Sequence, residues 1–318
     1  MRTLAALLLA LAAHAVHADG DALSWLHRIH TAAEKLSYTG TFVYSSGDQT
    51  ETSRIIHLAG RNGARERMET LDGQRREIVR SGDEVKCYLP DSMTVKVDKQ
   101  TDHAVFPKLL LENLQDIGEH YEVSKGLIER IAGYECQAIV LEPKDKLRYG
   151  HRLWADTSTG MLLKSQTINE KNEVVEQFAF TQIAIGGKID QSLLKSKFLA
   201  KSRDWQVQNS GAVATSLAAS GWSIKPGLPG FKKVTEMKRT QGGSKEVGHV
   251  VYSDGLAAVS VFIEPISKKA SLPQPGLSRQ GAINIYSRQL DNHLVTVVGE
   301  APAESVMKLA ESVEYRKP

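Results

Sequence analysis

The histidines of this 318-residue chain show no spacing that is typical of a catalytic or metal site. His27 and His30 lie three residues apart on a predicted helix, which could place two imidazoles on one metal ion. No third His, Cys or carboxylate follows at a matching spacing, so two solvated histidines on a helix surface are the favoured interpretation. The other histidines beyond residue 18 are scattered singly: His57, His103, His120, His151, His249 and His293.

Sequence motifs of catalysis are also missing. The chain contains no Gly-x-Ser-x-Gly elbow, no His-Glu-x-x-His, no Gly-Lys-Ser/Thr phosphate loop and no Gly-x-Gly-x-x-Gly. We therefore predict a binding protein that is not an enzyme and that needs no metal or cofactor. A secreted hydrolase whose groups assemble only in three dimensions is the alternative.

The chain has two cysteines, Cys87 and Cys136, each in a segment with the pattern of a β-strand. Their spacing matches no metal motif. In an oxidising compartment such a pair is more often a disulfide than two free thiols, so we predict a bridge. Two free thiols are the alternative.

Bulky apolar side chains in the first half of the chain could form a surface for a hydrophobic ligand. A curved sheet with too little helix to fill it leaves an apolar cavity, and such cavities take lipids or acyl chains. An ordinary protein core is the alternative, and the pattern of one sequence does not separate the two. The residues predicted to contact a lipid are Phe42, Tyr44, Phe106, Leu110, Trp154 and Phe178.

Residues 1–18 have the pattern of a secretory signal peptide, with Arg2 before an apolar run and small residues at Val16 and Ala18. The run is shorter than the ~20 residues that span a bilayer, and no longer one follows. We expect a periplasmic protein that does not itself span the membrane. The net charge of +3, without long blocks of one sign, does not suggest nucleic acid as a partner.

The elements that would position these side chains are mostly short strands. A helix is predicted over residues 21–36, and ten or eleven strands with a period of two lie between Tyr38 and Ile185. A further helix is predicted to begin at Pro107. No βαβ alternation is present, so the fold class is α+β with a mostly antiparallel, strongly curved sheet.

The second half of the chain predicts a smaller domain. Residues 203–221 lose the strand pattern and are rich in Ser, Ala and Gly, which is typical of a linker. Beyond them, strand-like segments such as "YSDGLAAVSVFIEP" at 252–265 lead to a helix predicted over 302–315. We therefore predict a signal peptide at 1–18, a domain at 19–202, a linker at 203–221 and a domain at 222–318.

Ordered motifs along the whole chain resemble the RseB/MucB family of periplasmic sigma-E regulators. They include "GTFVY" at 40–44, "REIVR" at 76–80, "RYG" at 148–150, "FAFTQ" at 178–182 and "VTVVGEAP" at 295–302, with "YSDGLAAVSVFIEP". The resemblance implies an N-terminal domain like the lipoprotein carriers LolA and LolB, an incomplete antiparallel β-barrel with helices. A smaller antiparallel sheet domain with a C-terminal helix would follow it.

The resemblance also implies a function. Members of the family bind the periplasmic part of the anti-sigma factor RseA or MucA and shield it from site-1 proteolysis until lipopolysaccharide or lipoprotein relieves the shielding. We predict that the C-terminal domain at 222–318, with its surface that faces the linker, holds the anti-sigma factor, and that Tyr252, Val259, Val261, Phe262 and Arg288 contact it. The alternative function is a periplasmic carrier of lipid or lipoprotein that uses the barrel cavity, and the sequence is compatible with a homodimer.

Overall fold

A computed structural model describes residues 15–61, 63–99, 114–209, 211–241, 245–266 and 275–317. Two large sheets, of twelve and seven strands, organise these residues. We call the twelve-stranded sheet with the helices packed on it the first domain, and the seven-stranded sheet with the C-terminal helix the second domain. The predicted α+β class with mostly antiparallel strands and a smaller second sheet is confirmed.

The first sheet is open, because its two edge strands do not pair with each other. Its strand order is β12-β6-β5-β4-β3-β2-β1-β11-β10-β9-β8-β7, and every pairing is antiparallel except that of β12 with β6. The strands are β1 (Tyr38–Ser46), β2 (Gln49–Leu58), β3 (Arg65–Thr70), β4 (Glu77–Ser81), β5 (Glu84–Leu89), β6 (Thr94–Lys99), β7 (Tyr121–Ile131), β8 (Tyr134–Pro143), β9 (Gly150–Asp156), β10 (Leu162–Ile168), β11 (Val174–Ile185) and β12 (Gln206–Asn209).

Two helices pack on one side of the first sheet. Helix α1 (Ala15–Lys35) places Leu26 and Ile29 against Leu153 and Leu162 of the sheet, in a core that also contains Ile117 of helix α2 (Leu114–His120). The first helix was predicted over residues 21–36, and its described part begins six residues earlier. Most of the predicted signal peptide, and the predicted start of the second helix at Pro107, lie outside the described residues.

The second sheet has the strand order β13-β15-β16-β17-β20-β19-β18, all antiparallel. Helix α3 (Ala303–Glu311) covers one of its faces, and β14 pairs with β21 beside it. The strands are β13 (Val213–Ala214), β14 (Trp222–Ile224), β15 (Lys232–Gln241), β16 (Lys245–Ser253), β17 (Ala258–Pro265), β18 (Gly276–Gln280), β19 (Ile283–Leu290), β20 (His293–Gly299) and β21 (Val313–Tyr315).

The alternation of side chains along β17 explains which face of the second sheet packs against α3. Val259, Val261 and Ile263 point to one face and are buried against α3, where Val306 and Leu309 are also fully buried. Since successive side chains of a strand point to opposite faces, Phe262 faces away from the helix. The predicted helix over 302–315 is shorter in the structure, because its last residues form strand β21.

The segment predicted as a linker contains short elements of both domains. Gln206–Asn209 add β12 to the edge of the first sheet, while Val213–Ala214 add β13 to the edge of the second. Leu217 is buried in the core of the second domain. The Ser- and Ala-rich composition did not indicate these contacts, because backbone pairing at a sheet edge needs no particular side chain.

No helix in the part of the chain that the structure describes is long and apolar enough to cross a membrane. Within the same residues, no three His, Cys, Asp or Glu side chains are grouped so that they could hold a metal ion.

Candidate functional site

An aromatic cluster in the first domain gathers most of the side chains that the sequence predicts for lipid contact. The rings of Phe42 and Phe178 lie 5.1 Å apart, and both pack against Phe180. Trp154 belongs to the same core, and the half-buried Tyr44 packs against it. Phe106 and Leu110 lie outside the described residues. The structure therefore brings four of the six predicted residues together, with Phe42, Trp154 and Phe178 buried.

A buried polar pair adjoins this cluster. His57 is stacked on Tyr38 with ring centroids 4.9 Å apart, and its Nδ1 atom lies 2.7 Å from Oε1 of Glu66. The Nε2 atom of His57 is buried without a hydrogen-bond partner among the described residues. No sequence pattern indicated this pair, because the residues lie on neighbouring strands and are nine positions apart in the chain.

The two cysteines are free, so the predicted disulfide is wrong. Cys87 lies on β5 and Cys136 on β8, and seven other strands separate these two in the order of the first sheet. Strand-like patterns predicted the local structure of each cysteine correctly but contained no information about their distance. Burial raises the pKa of the Cys136 thiol to about 11, which keeps it protonated and unreactive at neutral pH.

The residues predicted to contact an anti-sigma factor lie mostly inside the second domain. Val259 and Val261 are fully buried under α3, and Tyr252 is buried in the same core, so the prediction of a contact surface is wrong for these three. Arg288 donates hydrogen bonds to the backbone oxygens of Ala310 and Val313 at the end of α3. Its guanidinium therefore ties β19 to the last turn of α3 and to the start of β21.

Phe262 is the exception in this predicted set. It faces away from α3 and is stacked on His249, with ring centroids 4.4 Å apart. His249 is buried, and burial, aided by the positive charge of Arg239, lowers the pKa of its imidazole to about 4. The ring is therefore neutral at pH 7, and the stack is a neutral aromatic contact.

The junction between the domains is built around the connection from β8 to β9. We call residues 145–149 of this connection the docking loop. Leu147 inserts into the core of the second domain, and its backbone oxygen accepts a 2.7 Å hydrogen bond from the hydroxyl of Ser305. The hydroxyl of Tyr149 accepts a 2.9 Å hydrogen bond from the side chain of Asn284, which is also buried.

Arg148, between these two residues, forms the centre of the junction. Its fully buried guanidinium donates from Nη1 to Oδ2 of Asp254 over 2.9 Å, and from Nη2 to the backbone oxygen of Pro229 over 2.5 Å. Its Nε atom donates to Asp145 within the docking loop. The rings of Tyr121 and Phe231, one from each domain, flank it at 5.5 and 5.3 Å from their centroids.

Asp254 is held in position by its own turn. Its Oδ1 atom accepts hydrogen bonds from the backbone N–H groups of Leu256 and Ala257, while Oδ2 accepts from Arg148 and from the hydroxyl of Tyr121. Gly255, with φ of +98°, allows the chain to turn here, because this conformation is strained for other residues. One oxygen therefore shapes the turn and the other binds the first domain.

A cavity of about 330 Å³ lies beside the docking loop and is lined by Arg148, His151, Asn169 and Pro302, among others. Burial lowers the pKa of His151 to about 4, although the charge of Asp254 acts in the opposite direction. The Nε2 atom of His151 is buried with no hydrogen-bond partner in the described ranges. In the sequence His151 is one of the singly scattered histidines, and nothing in its local pattern indicates a contact with the second domain.

Sequence comparison finds matches over both domains. A profile of the MucB/RseB N-terminal domain matches residues 21–198, and a profile of the MucB/RseB C-terminal domain matches residues 216–314. The sigma factor AlgU regulatory protein MucB of Pseudomonas aeruginosa is 32% identical, with 98% of each chain covered. The sigma-E factor regulatory protein RseB of Salmonella typhimurium is 26% identical, covering 94% of this chain and 92% of the relative.

Comparison of structures gives the same result. The crystal structure of MucB in complex with MucA(peri) has a TM-score of 0.71 and 29% sequence identity, and it covers 94% of this chain and 100% of that one. The crystal structure of MucB without a named partner has a TM-score of 0.69 and 28% identity.

Proposed function

The chain belongs to the MucB/RseB family, and on this premise we propose that it regulates a sigma factor of the envelope stress response. In this proposal it binds the periplasmic part of a membrane-spanning anti-sigma factor of the RseA/MucA type and shields that segment from site-1 proteolysis. The observation that supports the proposal most strongly is the similarity, over both domains, to MucB as solved with MucA(peri). The protein acts in the periplasm, in keeping with the predicted signal peptide, and by binding rather than catalysis.

We assign the anti-sigma segment to the second domain, on the face of its sheet that lies opposite α3. Phe262 is the one residue of the predicted contact set that faces this side, and it is neither buried like Val261 nor used to support the helix like Arg288. An aromatic ring at the centre of a sheet face is the kind of side chain that contributes strongly to protein interfaces.

The release of the anti-sigma segment is assigned to the first domain. A lipopolysaccharide or the acyl chain of a lipoprotein would bind near the aromatic cluster of Phe42, Tyr44, Trp154 and Phe178. A ligand shifts a binding equilibrium only by as much as its affinities for the two states differ. Release therefore requires that the lipid prefer a state of this protein that binds the anti-sigma segment weakly.

Calorimetric titration of the full-length mature protein with the periplasmic segment of the anti-sigma factor tests the first part. We expect binding, and slower cleavage of that segment by the site-1 protease when this protein is present. Phe262→Ala should weaken binding at least tenfold, whereas Leu277→Ala, at an exposed position of β18, should leave it unchanged. Absence of both binding and protection for the unmodified protein would overturn the proposal.

Competition between a lipid and the anti-sigma segment tests the assignment of release to the first domain. Added lipopolysaccharide or a diacylated lipopeptide should lower the apparent affinity for the anti-sigma segment, and the deacylated forms should not. If neither amphiphile changes that affinity, the assignment of release to the first domain fails while the binding function is unaffected.

A further inference from the structure

At the junction, each domain places one leucine side chain in the core of the other. Leu147 of the docking loop packs into the core of the second domain, and Leu256 of the second domain packs against the core formed by α1, α2 and the first sheet. Arg148 follows the first leucine and Asp254 precedes the second by two positions. Arg148 belongs to the motif "RYG" and Asp254 to the motif "YSDGLAAVSVFIEP", and the fold brings these distant motifs into contact.

We propose that the ion pair of Arg148 with Asp254 is an interdomain latch that sets how much of the protein has its domains docked, and that the docked form binds the anti-sigma segment. The inference rests on the proposed function and adds its regulation. In this arrangement Arg148 and Asp254 are positioning residues. They contact no ligand, and they act by fixing where the second domain lies relative to the first.

Burial explains why the ion pair of Arg148 with Asp254 is sensitive to the loss of either charge. The side chains of Arg148 and Asp254 are 0% and 1% exposed, so docking removes both charges from water. Their attraction offsets this desolvation only while every partner is in place. If Arg148 loses its charge, the buried carboxylate of Asp254 is left without a counter-ion, and if Asp254 loses its charge, Arg148 keeps only Asp145 of its own loop as a partner. In either case the remaining buried charge gains hydration when the domains separate. Loss of either charge therefore favours the undocked form.

The junction can open without unfolding either domain. Arg148 and Asp254 each have partners within their own domain, since Asp145 pairs with the arginine and the turn at Gly255 holds the aspartate. Leu147 and Leu256 each pack into the opposite domain, whereas each domain also has a core of its own. The undocked form is thus a pair of folded domains whose junction groups are hydrated.

Distance measurements between spin labels test the latch in the full-length protein. Labels are attached to cysteines at the exposed positions Ser124 and Ser278 in a Cys87→Ser background, in which the buried Cys136 is the remaining thiol. We expect one narrow distance distribution for the unmodified junction. Arg148→Met and, separately, Asp254→Asn should broaden that distribution and weaken binding of the anti-sigma segment at least tenfold.

The double variant separates a latch from a general loss of structure. Arg148→Met with Asp254→Asn removes both buried charges, while the introduced amide keeps an oxygen that can form the turn. Asp145 also loses its contact with Arg148, but its side chain is 30% exposed and can be hydrated in place. We expect it to recover the narrow distribution and to bind within about threefold of the unmodified protein. Tyr121→Phe removes one hydrogen bond to Asp254 without changing any charge, and it should shift both measurements in the same direction by a smaller amount.

Arg152→Ala is the matched control, because Arg152 lies four residues after Arg148 and contacts Asn172 of its own domain. It should change neither distance nor affinity. The latch is overturned if the single variants keep the original distances, or if the double variant is as weak as the product of the single effects. If the unmodified protein does not bind the segment, the proposed function fails, and the distances still decide whether the ion pair holds the domains together.

Discussion

The core under α3 and the junction around Arg148 are neighbouring buried regions of opposite composition. Val259, Val261 and Leu309 fill the first with apolar side chains, whose burial is favourable in any relative orientation that excludes water. The junction buries the side chains of an arginine, an aspartate and an asparagine, which are stable only when each donor meets its acceptor. The first region therefore supplies the stability of a domain, and the second selects one arrangement of two domains.

The largest effect should come from the apolar core. Leu309→Ala leaves a cavity between α3 and the sheet and should lower the free energy of unfolding of the second domain by about 2–5 kcal/mol. Chemical denaturation of the full-length protein measures this loss. The control is Leu277→Ala, at an exposed position, which should change the value by less than about 0.5 kcal/mol. Equal effects of the two changes would contradict the packing described for α3.

The second largest effect is expected from low pH, which should destabilise the junction between the domains. His151 has a pKa of about 4 in the folded protein, below the ~6.5 of an unfolded chain, so the unfolded state binds more protons between these values. Its contribution to stability is therefore fully present above about pH 6.5 and is lost as the pH falls toward 4, by on the order of 2 kcal/mol.

His249 provides the comparison for this acid effect, since its pKa is also about 4 but it lies on the sheet of the second domain. In spin-label measurements at about pH 4.5, between the folded and unfolded pKa values, His151→Gln should reduce the broadening of interdomain distances and His249→Gln should not. The opposite result would mean that the acid-sensitive element lies in the second domain and not at the junction.

A smaller effect is expected from a single hydrogen bond across the junction. Tyr149→Phe removes the hydroxyl that accepts from Asn284 and should cost about 0.5–1.5 kcal/mol of docking free energy. Ser287→Ala removes a hydroxyl pair with Thr296 inside the second sheet, at a similar cost to unfolding but without effect on interdomain distance. Equal distance changes in both variants would remove the distinction between junction and domain.

The smallest effect concerns the cysteines. Because Cys87 and Cys136 are free, a reducing agent should change the free energy of unfolding by less than about 0.5 kcal/mol, whereas breaking a disulfide typically costs about 2–4 kcal/mol. Thiol titration in denaturant should find two reactive groups per chain without prior reduction. Finding none would restore the predicted bridge.

Local patterns predicted the elements of this protein well. Period-two alternation between Tyr38 and Ile185 predicted ten or eleven strands, and the described residues of this range form eleven. In the second domain, the strand pattern at 252–265 and the helix pattern over 302–315 predicted β17 and α3 in the correct order. These predictions succeed because they depend only on how neighbouring side chains project from a regular backbone.

Predictions that needed distances across the fold succeeded less well. Cys87 and Cys136 were paired because of compartment and number, with no information on the seven strands between them in the sheet. The contact set that included Val259 failed because an apolar residue looks the same in a core and in an interface. Arg148 and Asp254 are 106 positions apart, so no spacing in one sequence could indicate their contact.

The edge strands β12 and β13 have a kinetic consequence. Asn209 is fixed in the first sheet and Val213 in the second, so only residues 210–212 join them. The four residue-to-residue steps from the Cα atom of Asn209 to that of Val213 span at most about 14 Å in an extended chain. Separated domains thus remain at a high effective concentration of each other, in the millimolar range or above for so short a tether. Any molecule that holds the two domains apart must compete with their rapid re-docking. In the protein with its latch intact, the undocked form is therefore expected to last only as long as such a ligand stays bound.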